Sequence, residues 1–120
     1  MAFEVEYTDE FEEWWYCSLN DFEQDAIAAV VGLLEEKGPH LPYPYSSGIS
    51  SSRHRLMREL RVQHRGTPFR TFYALDPRRT AILLIGGNKK GNNRWYEEFV
   101  PIADRLYDEH LAELRNKGLI

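Results

Sequence analysis

The sequence predicts an α+β fold in which an antiparallel meander sheet packs against helices from both ends of the chain. Three observations support this class. Alternating or continuously apolar segments indicate four strands, apolar stripes at helical spacing indicate three helices, and short turn-like segments join the three central strands. The predicted order is β-α-α-β-β-β-α, with an N-terminal helical hairpin and a C-terminal helix.

Length and composition favour a single domain spanning residues 1–120. Of the 120 residues, 42% are hydrophobic and 13% aromatic, which is enough to fill one core. The lone Cys17 cannot form an intramolecular disulfide, and no segment approaches the roughly 20 apolar residues of a membrane span. The start "MAFEVEYTDE" does not resemble a signal peptide, so we expect a cytoplasmic protein.

The first third of the chain predicts one strand and two helices. Apolar and acidic residues alternate in "FEVEY", which indicates a half-buried strand. Thr8 can cap a helix that runs to about Ser18. Asn20, followed three residues later by a glutamate, resembles a capping box, and the apolar stripe of this second helix stops at Gly38.

A long surface loop is predicted next, because the segment from Gly38 to Ser52 has three prolines, five serines and no periodicity. Tyr43 and Tyr45 could anchor this loop to the body of the protein. Its length in a small domain favours a functional role.

The second half predicts the meander and the final helix. Strands are predicted at "RLMRELRV", "FRTFYALD" and "TAILLIG", from Arg55 to Val62, Phe69 to Asp76 and Thr80 to Gly86. The last of these is apolar on both faces, so we expect it in the interior of the sheet. A helical stripe from Phe99 to Leu114 predicts the final helix, with Pro101 in its first turn or at a kink.

The charge of the chain is strongly polarised. Its net charge of -4 by itself argues against a nucleic-acid partner. Between Arg53 and Arg94, however, eleven basic residues face two acidic ones, which gives +9 there and leaves -13 for the remainder. A basic middle of this kind favours an anionic partner such as RNA.

Two arginines in the meander are notable because an unpaired buried charge is costly. Strand parity places Glu59 and Arg61 on one face of their strand, with Arg58 on the other, and Arg70 on the same side as Phe72. Arg61 and Arg70 must therefore meet a carboxylate such as Glu59 or open on an anion-binding cleft. A solvated sheet face with ion pairs is the simpler alternative.

The segment "IGGNKKGNNRWY" after the apolar strand predicts a flexible cationic loop, called here the elbow. Gly86 and Gly87 permit positive φ and exposed N–H groups, and two lysines follow them. Phosphate would fit there, although no nucleotide P-loop pattern occurs and a solvated turn is the alternative. Trp95 could stack on an RNA base or pack in the core.

The histidines show no metal-ligand spacing, and with a single cysteine we expect no metal or other cofactor. His54 and His64 bracket the basic strand, where either could act on an RNA 2′-hydroxyl or be an ordinary exposed residue. His110 lies on the apolar stripe of the last helix and is predicted to be structural.

The run from Ser52 to Leu114 resembles the phage Gp49-like or HigB-type branch of the RelE/ParE toxin superfamily. The matching motifs are "SRH" with "MRELR", a G-x-P-[FY]-R turn, "RRTAILLIGG-x-K", "RWYE", P-x-AD and "LYDEHL". The resemblance implies a RelE-like fold and a type II toxin that cleaves mRNA, often on the ribosome. It also implies a helix-turn-helix, HigA-like antitoxin, which we expect to contact or cover the basic face.

Such enzymes are thought to cut without a metal, by attack of the 2′-hydroxyl on phosphate while cationic side chains stabilise the charge. The resemblance matches Arg70, Lys89, Lys90 and Tyr96 to family positions. The predicted catalytic residues are Arg61, Arg70, Lys89, Lys90, Tyr96 and His54. The predicted RNA contacts are Arg55, Arg58, His64, Arg65, Asn88, Arg94 and Trp95.

Two departures from the family pattern affect the mechanism. Met57 and Glu59 stand where RelE has lysines, so a lysine base is missing and Glu59, His54 or His64 would have to replace it. The elbow is more cationic than in close relatives, since Lys90 stands where they more often have threonine.

Two alternative functions remain open. A ParE-like toxin would bind DNA gyrase and cleave nothing, and it would not need a cationic cleft. An inactive family member would only bind its partner, with the acidic helices as its working surface.

Overall fold

The computed structural model describes residues 2–120, in which helices cover both faces of a five-stranded sheet. The elements are β1 (Val5–Tyr7), α1 (Asp9–Ser18), α2 (Asp21–Lys37), β2 (Ser46–Gly48), β3 (Arg58–His64), β4 (Thr67–Leu75), β5 (Ala81–Asn88) and α3 (Trp95–Asn116). The strand order is β1-β5-β4-β3-β2, with β1 parallel to β5 and the other pairs antiparallel. The α+β class and the interior position of β5 are confirmed, whereas β2 was not predicted.

The caps predicted for the first two helices are present. Thr8 Oγ1 accepts a hydrogen bond from Phe11 N (3.0 Å) and donates one to a carbonyl of β5 (2.6 Å). Asn20 and Glu23 form the reciprocal capping box, at 2.8 and 2.9 Å. Helix α2 ends at Gly38, whose φ of +53° suits glycine. These local signals fix the start of both helices and the end of α2.

The sheet separates two apolar layers. Helices α1 and α2 pack on the face that carries Leu60, Val62 and Tyr73. Helix α3 packs on the face that carries Met57, Phe72, Ala74 and Leu84. The parity predicted for β3 and β4 is therefore confirmed, and Glu59 lies on the α3 side of the sheet.

The β3–β4 hairpin turns through two residues with positive φ, Arg65 at +49° and Gly66 at +80°. Turns of this primed kind match the twist of the strands they join. The hairpin brings Arg61 directly opposite Arg70. The turn therefore fixes which basic residues face each other across the sheet.

The two glycines of the elbow remain inside β5, where each permits the close approach of an indole. A Cβ at Gly86 would overlap the Trp14 ring, and one at Gly87 would lie 3.0 Å from Trp95 Nε1. The positive φ expected at these glycines occurs instead at Gly91, at +72°. The elbow therefore turns later than predicted, after β5 has paired as far as Asn88.

Replacing Gly86 with alanine should lower the free energy of unfolding by about 1–3 kcal/mol, because the methyl group fits only if the Trp14 ring moves. That ring packs against Phe11 and Phe69, at centroid distances of 5.7 and 6.3 Å. Urea denaturation followed by circular dichroism measures the loss. Gly32→Ala is the control, since nothing lies within 4 Å of its added Cβ. Equal stability of Gly86→Ala and wild type would contradict the close packing.

Helix α3 begins earlier than predicted and continues through Pro101. It spans Trp95–Asn116, so the aromatic residues of the "RWY" triplet form its first turn and Pro101 lies further inside the helix. Neither α3 nor any other helix among residues 2–120 is long and apolar enough to cross a membrane.

A buried carboxylate joins the β4–β5 connection to α3. The Asp76 side chain is fully buried, accepts hydrogen bonds from Arg78 N and Arg78 Nη2 (both 2.8 Å), and lies 2.9 Å from His110 Nε2. Burial acts to raise the pKa of Asp76, but the hydrogen bonds from Arg78 and His110 outweigh it and hold the pKa below its ordinary value. His110 thus has the structural role that was predicted.

A candidate anion-binding site around Glu59

Glu59 is a buried carboxylate at the centre of a polar cluster. Its side chain is 5% exposed. Oε1 accepts a hydrogen bond from Tyr96 OH (2.7 Å), and Oε2 accepts from Ser47 Oγ (2.7 Å) and Arg61 Nη1 (3.4 Å). Arg70 Nε lies 3.6 Å from Oε1. One carboxylate therefore organises side chains from β2, β3, β4 and α3, and we call these residues the Glu59 cluster.

Sheet register explains this convergence. Ser47 lies opposite Glu59 on one side, and Arg61, two residues further along β3, lies opposite Arg70 on the other. Like charges directly opposite each other destabilise a sheet, and a carboxylate on the same face offsets that repulsion. The pairing of Arg61 and Arg70 therefore depends on Glu59.

Arg70 is a buried cation with incomplete hydrogen bonding. The residue is 6% exposed and donates from Nη1 to the carbonyl of Phe69 (2.9 Å). Its Nε is the only buried side-chain nitrogen or oxygen in residues 2–120 without a hydrogen-bond partner. Arg70 therefore relies on the nearby charge of Glu59 for most of its compensation.

Tyr96 contacts both the buried carboxylate and Lys89 of the elbow. Burial, and then the hydrogen bond to Glu59, raise the pKa of Tyr96 above its ordinary value of 10.0, against a smaller lowering by Arg70. Its phenol is consequently neutral at pH 7 and serves as a hydrogen-bond donor. Lys89 Nζ lies 5.6 Å from the centroid of the Tyr96 ring, within cation–π range.

The cluster is electropositive towards its opening. With Lys89, which lies beside the cluster, three cations (Arg61, Arg70 and Lys89) outnumber the single carboxylate, which leaves a formal charge of +2. Glu59 is at the buried end, whereas Arg61 is 25% exposed and Lys89 is half-buried. An anion approaching from solvent therefore meets the cations first.

Three further predicted residues lie in and next to the elbow. Asn88 and Lys90 are exposed, and Asn88 Oδ1 accepts a hydrogen bond from Lys90 N (2.9 Å). Arg94, at the N-cap of α3, is exposed and pairs with Glu97 at 3.1 Å. These residues extend the positive surface beyond Lys89.

The structure does not bring His54 into the Glu59 cluster. His54 Nε2 lies 2.8 Å from Asp108 Oδ1, and the His54 ring packs edge-on against Tyr107 at 4.8 Å. Asp108 is twelve residues beyond Tyr96 in α3, about 18 Å along the helix axis. His54 therefore anchors its loop to α3, at a distance from the cations.

Four predicted RNA contacts also lie outside the cluster. Arg58 points to the opposite face of β3, as parity predicted, and donates to a serine of β2 (2.9 Å). Arg55 is exposed in the preceding loop, and His64 is half-buried at the end of β3. Arg65 lies in the hairpin turn, with its guanidinium carbon 6.0 Å from the centroid of the Phe22 ring.

Trp95 is a core residue, which corrects its prediction as an RNA contact. It is 2% exposed. Its indole is nearly parallel to the rings of Phe72 and Phe99, at centroid distances of 5.1 and 4.8 Å. Since other rings already cover the indole, an RNA base cannot stack on it.

Two residues of the site were not predicted, Ser47 and Tyr43. Ser47 belongs to β2, whose three residues are too few to show periodicity. Tyr43 lies with its ring centroid 5.0 Å from the Arg61 guanidinium carbon, although the residue is 69% exposed. The loop is anchored both by the Ser47 side chain and through its backbone, where Arg61 N donates to the carbonyl of Tyr45 (2.8 Å). The only sequence signal for these two residues was the abundance of serine and tyrosine in the predicted loop.

Comparison with known proteins agrees with the motif resemblance. Residues 15–108 match the family described as "Phage derived protein Gp49-like (DUF891)". A Mycobacterium tuberculosis (strain ATCC 25618 / H37Rv) protein named "Putative toxin HigB3" is 43% identical over 110 residues, which cover 88% of this chain and 92% of that protein. Another from the same organism, "Putative toxin HigB2", is 38% identical over 104 residues, which cover 85% of this chain and 52% of that protein. The chain therefore belongs to the Gp49-like family and is a homologue of the HigB-type toxins of toxin–antitoxin systems.

Proposed function

We propose that this protein is a toxin that cleaves mRNA by attack of a ribose 2′-hydroxyl on the adjacent phosphate. The observation that carries the proposal is the convergence of Arg61, Arg70 and Lys89 around Tyr96 and Glu59. The reaction builds negative charge on phosphate, and fixed cations stabilise such charge. Homology to toxins supports the same conclusion.

The proposed roles follow from the exposure of each side chain. Arg61 and Lys89 contact the phosphate, since both are partly exposed. Tyr96 donates a hydrogen bond to Glu59 and supports Lys89 with its ring. Arg70 adds positive charge from its buried position beneath the phosphate site, and the exposed Lys90 contacts a neighbouring phosphate.

Glu59 is proposed as a positioning residue and not as the general base. Its side chain is 5% exposed, and both carboxylate oxygens already accept hydrogen bonds. A 2′-hydroxyl therefore has little access to it. In the proposed step the 2′-oxygen bonds to phosphorus as the bond to the 5′-oxygen breaks. Solvent takes the 2′-hydroxyl proton and supplies one to the departing 5′-oxygen.

Homology to these toxins implies a cognate antitoxin. We propose that it is a HigA-like, helix-turn-helix protein and that it covers the basic face, because a toxin with this face exposed would be active. Cleavage by the purified complex at the rate of the free toxin would contradict this arrangement.

Arg61→Ala and Lys89→Ala are each expected to reduce mRNA cleavage by about 10²–10³-fold, the usual cost of losing one group that stabilises transition-state charge. Each variant is expressed from a tight inducible promoter, and new mRNA 5′ ends are mapped within minutes of induction. Arg105→Ala is the matched control, because this substitution also removes one positive charge, from an exposed arginine of α3.

The outcomes separate the candidate functions. Growth arrest with discrete cuts in wild type and Arg105→Ala, absent in the other two variants, supports the nuclease. Growth arrest with intact mRNA would contradict the nuclease and favour a gyrase-binding toxin. Absence of both arrest and cuts would favour an inactive family member.

A further inference from the structure

A groove beside the Glu59 cluster has the chemistry of a track for single-stranded RNA. We propose that the RNA strand leaves the cluster along this groove, with one base stacked on Tyr43 and another on Phe22. The proposal rests on the proposed function and adds to it the path of the substrate. We call this feature the edge groove, because it lies between α2 and the free edge of β3.

The edge groove exists because β2 is short. Strand β2 pairs with β3 only as far as Leu60, and the remainder of β3 is left without a strand neighbour on that side. The resulting cavity has a volume of about 340 Å³. Its lining residues are Ala26, Val30, Pro44, Tyr45, Arg61, Val62, Gln63 and Arg70. Arg61 and Arg70 also belong to the Glu59 cluster, so the two sites are continuous.

Two walls bound the groove. One wall is a face of α2, where Ala26 and Val30 line the groove and Phe22 lies one helical turn before Ala26 on the same face. It is about 12 Å long, from the helical rise. The other wall is the edge of β3, where Arg61 and Gln63 line the groove, and Arg65 follows in the hairpin turn.

A cation lies over an exposed aromatic ring at each end of the groove. Arg61 approaches the Tyr43 ring at 5.0 Å, and Arg65 approaches the Phe22 ring at 6.0 Å. Tyr43 is 69% and Phe22 is 68% exposed, so both rings keep open surface. A base can stack on such a ring while the neighbouring arginine meets the phosphate, which is how proteins hold single strands.

Charge distinguishes this groove from the other large cavities. Its eight lining residues include two arginines and no acidic residue. The apolar cavity beneath α1 and α2 includes Glu12 and Glu35, and the cavity beside the end of α3 includes Glu109 and Glu113. A polyanion is therefore favoured in the edge groove. The ends are farther apart than one stacked step of about 3.4 Å, so they hold different nucleotides.

The test separates binding from cleavage. A single-stranded 2′-O-methyl RNA, which lacks the attacking hydroxyl, is titrated with the full chain, and 2-aminopurine placed along it reports stacking by loss of fluorescence. Tyr43→Ala and Phe22→Ala should each weaken binding by about fivefold or more and remove the quenching at one position. Tyr43→Phe keeps the ring and should bind like wild type. Tyr16→Ala removes an aromatic residue of α1 that is 72% exposed and lies outside the groove, so it should have no effect.

Each outcome decides the proposal. Unchanged RNA binding by the double variant Phe22→Ala/Tyr43→Ala, or no RNA binding by wild type, overturns the track. If mRNA is still cleaved in cells in that case, the proposed nuclease activity is unaffected. Weaker binding and lost quenching without any cleavage in cells would support the track and refute the nuclease. Loss of antitoxin binding in these variants, with RNA binding intact, would assign the groove to a protein and overturn the track.

Discussion

Replacing Glu59 with glutamine is expected to lower the free energy of unfolding by about 3–5 kcal/mol, because it leaves a buried arginine without its counter-charge. That is a large part of the roughly 5–15 kcal/mol that stabilises a typical domain. Glutamine has the shape of glutamate, so the loss would not come from a cavity. Arg70, at 6% exposure and with an unpartnered Nε, is the group that would be left uncompensated.

Replacing the other partner of this ion pair, Arg70, should cost less stability. Arg70→Met keeps most of the side-chain volume and removes the cation, while Glu59 retains its hydrogen bonds from Tyr96, Ser47 and Arg61. Urea denaturation of the two variants, followed by circular dichroism, measures the difference. A loss for Arg70→Met equal to or larger than that for Glu59→Gln would show that the carboxylate is not what holds the cluster together.

The second large effect is expected at Asp76. Asp76→Asn should lower the free energy of unfolding by about 3 kcal/mol at neutral pH, the lower end of the range for breaking a buried ion pair. The lower end applies because Arg78 would keep Glu6 as a partner, at 2.8 Å. Thermal and urea denaturation at pH 7 measure the loss. Glu113→Gln is the control, since this exposed carboxylate also pairs with a single cation, Lys117.

Asp76 should also make stability depend on acid pH. Its pKa in the folded protein lies below the ordinary value of 3.8. Such a group stabilises the fold fully above its unfolded pKa, and this contribution is lost as the pH falls through the lower, folded pKa. Below about pH 4, wild type should therefore lose stability more steeply than Asp76→Asn. Parallel curves for the two proteins in that range would refute the assignment.

The sequence predicted the features that depend on neighbouring residues. The capping box at Asn20 and the stop at Gly38 are local signals, and both helices form there. Strand parity is also local, and it placed Glu59 with Arg61 on one face of β3 and Arg70 with Phe72 on one face of β4. The pattern therefore indicated that Arg61 and Arg70 need a carboxylate such as Glu59 or an anion, and the hairpin register then brought the two arginines together.

What could not be predicted depends on contacts between distant segments. His54 faces Asp108, which is 54 residues away, so its position in the sequence gave no sign of that pairing. Trp95 lies near the end of the elbow, and only the packing of α3 against the sheet decides that its ring is buried. The three residues of β2 carry no periodic pattern, so the contact of Ser47 with Glu59 was not visible either.

The parallel pairing of β1 with β5 has a consequence for how the protein matures on the ribosome. Glu4 and Thr8, on either side of β1, hydrogen-bond to Ala81 and Leu83 of β5, more than seventy residues later. Synthesis proceeds from the N-terminus, so β1 must wait for most of the chain to emerge before its partner exists. Lys89 and Tyr96 follow β5 and appear later still. A nascent or prematurely terminated chain therefore lacks both a finished sheet and its cationic cluster.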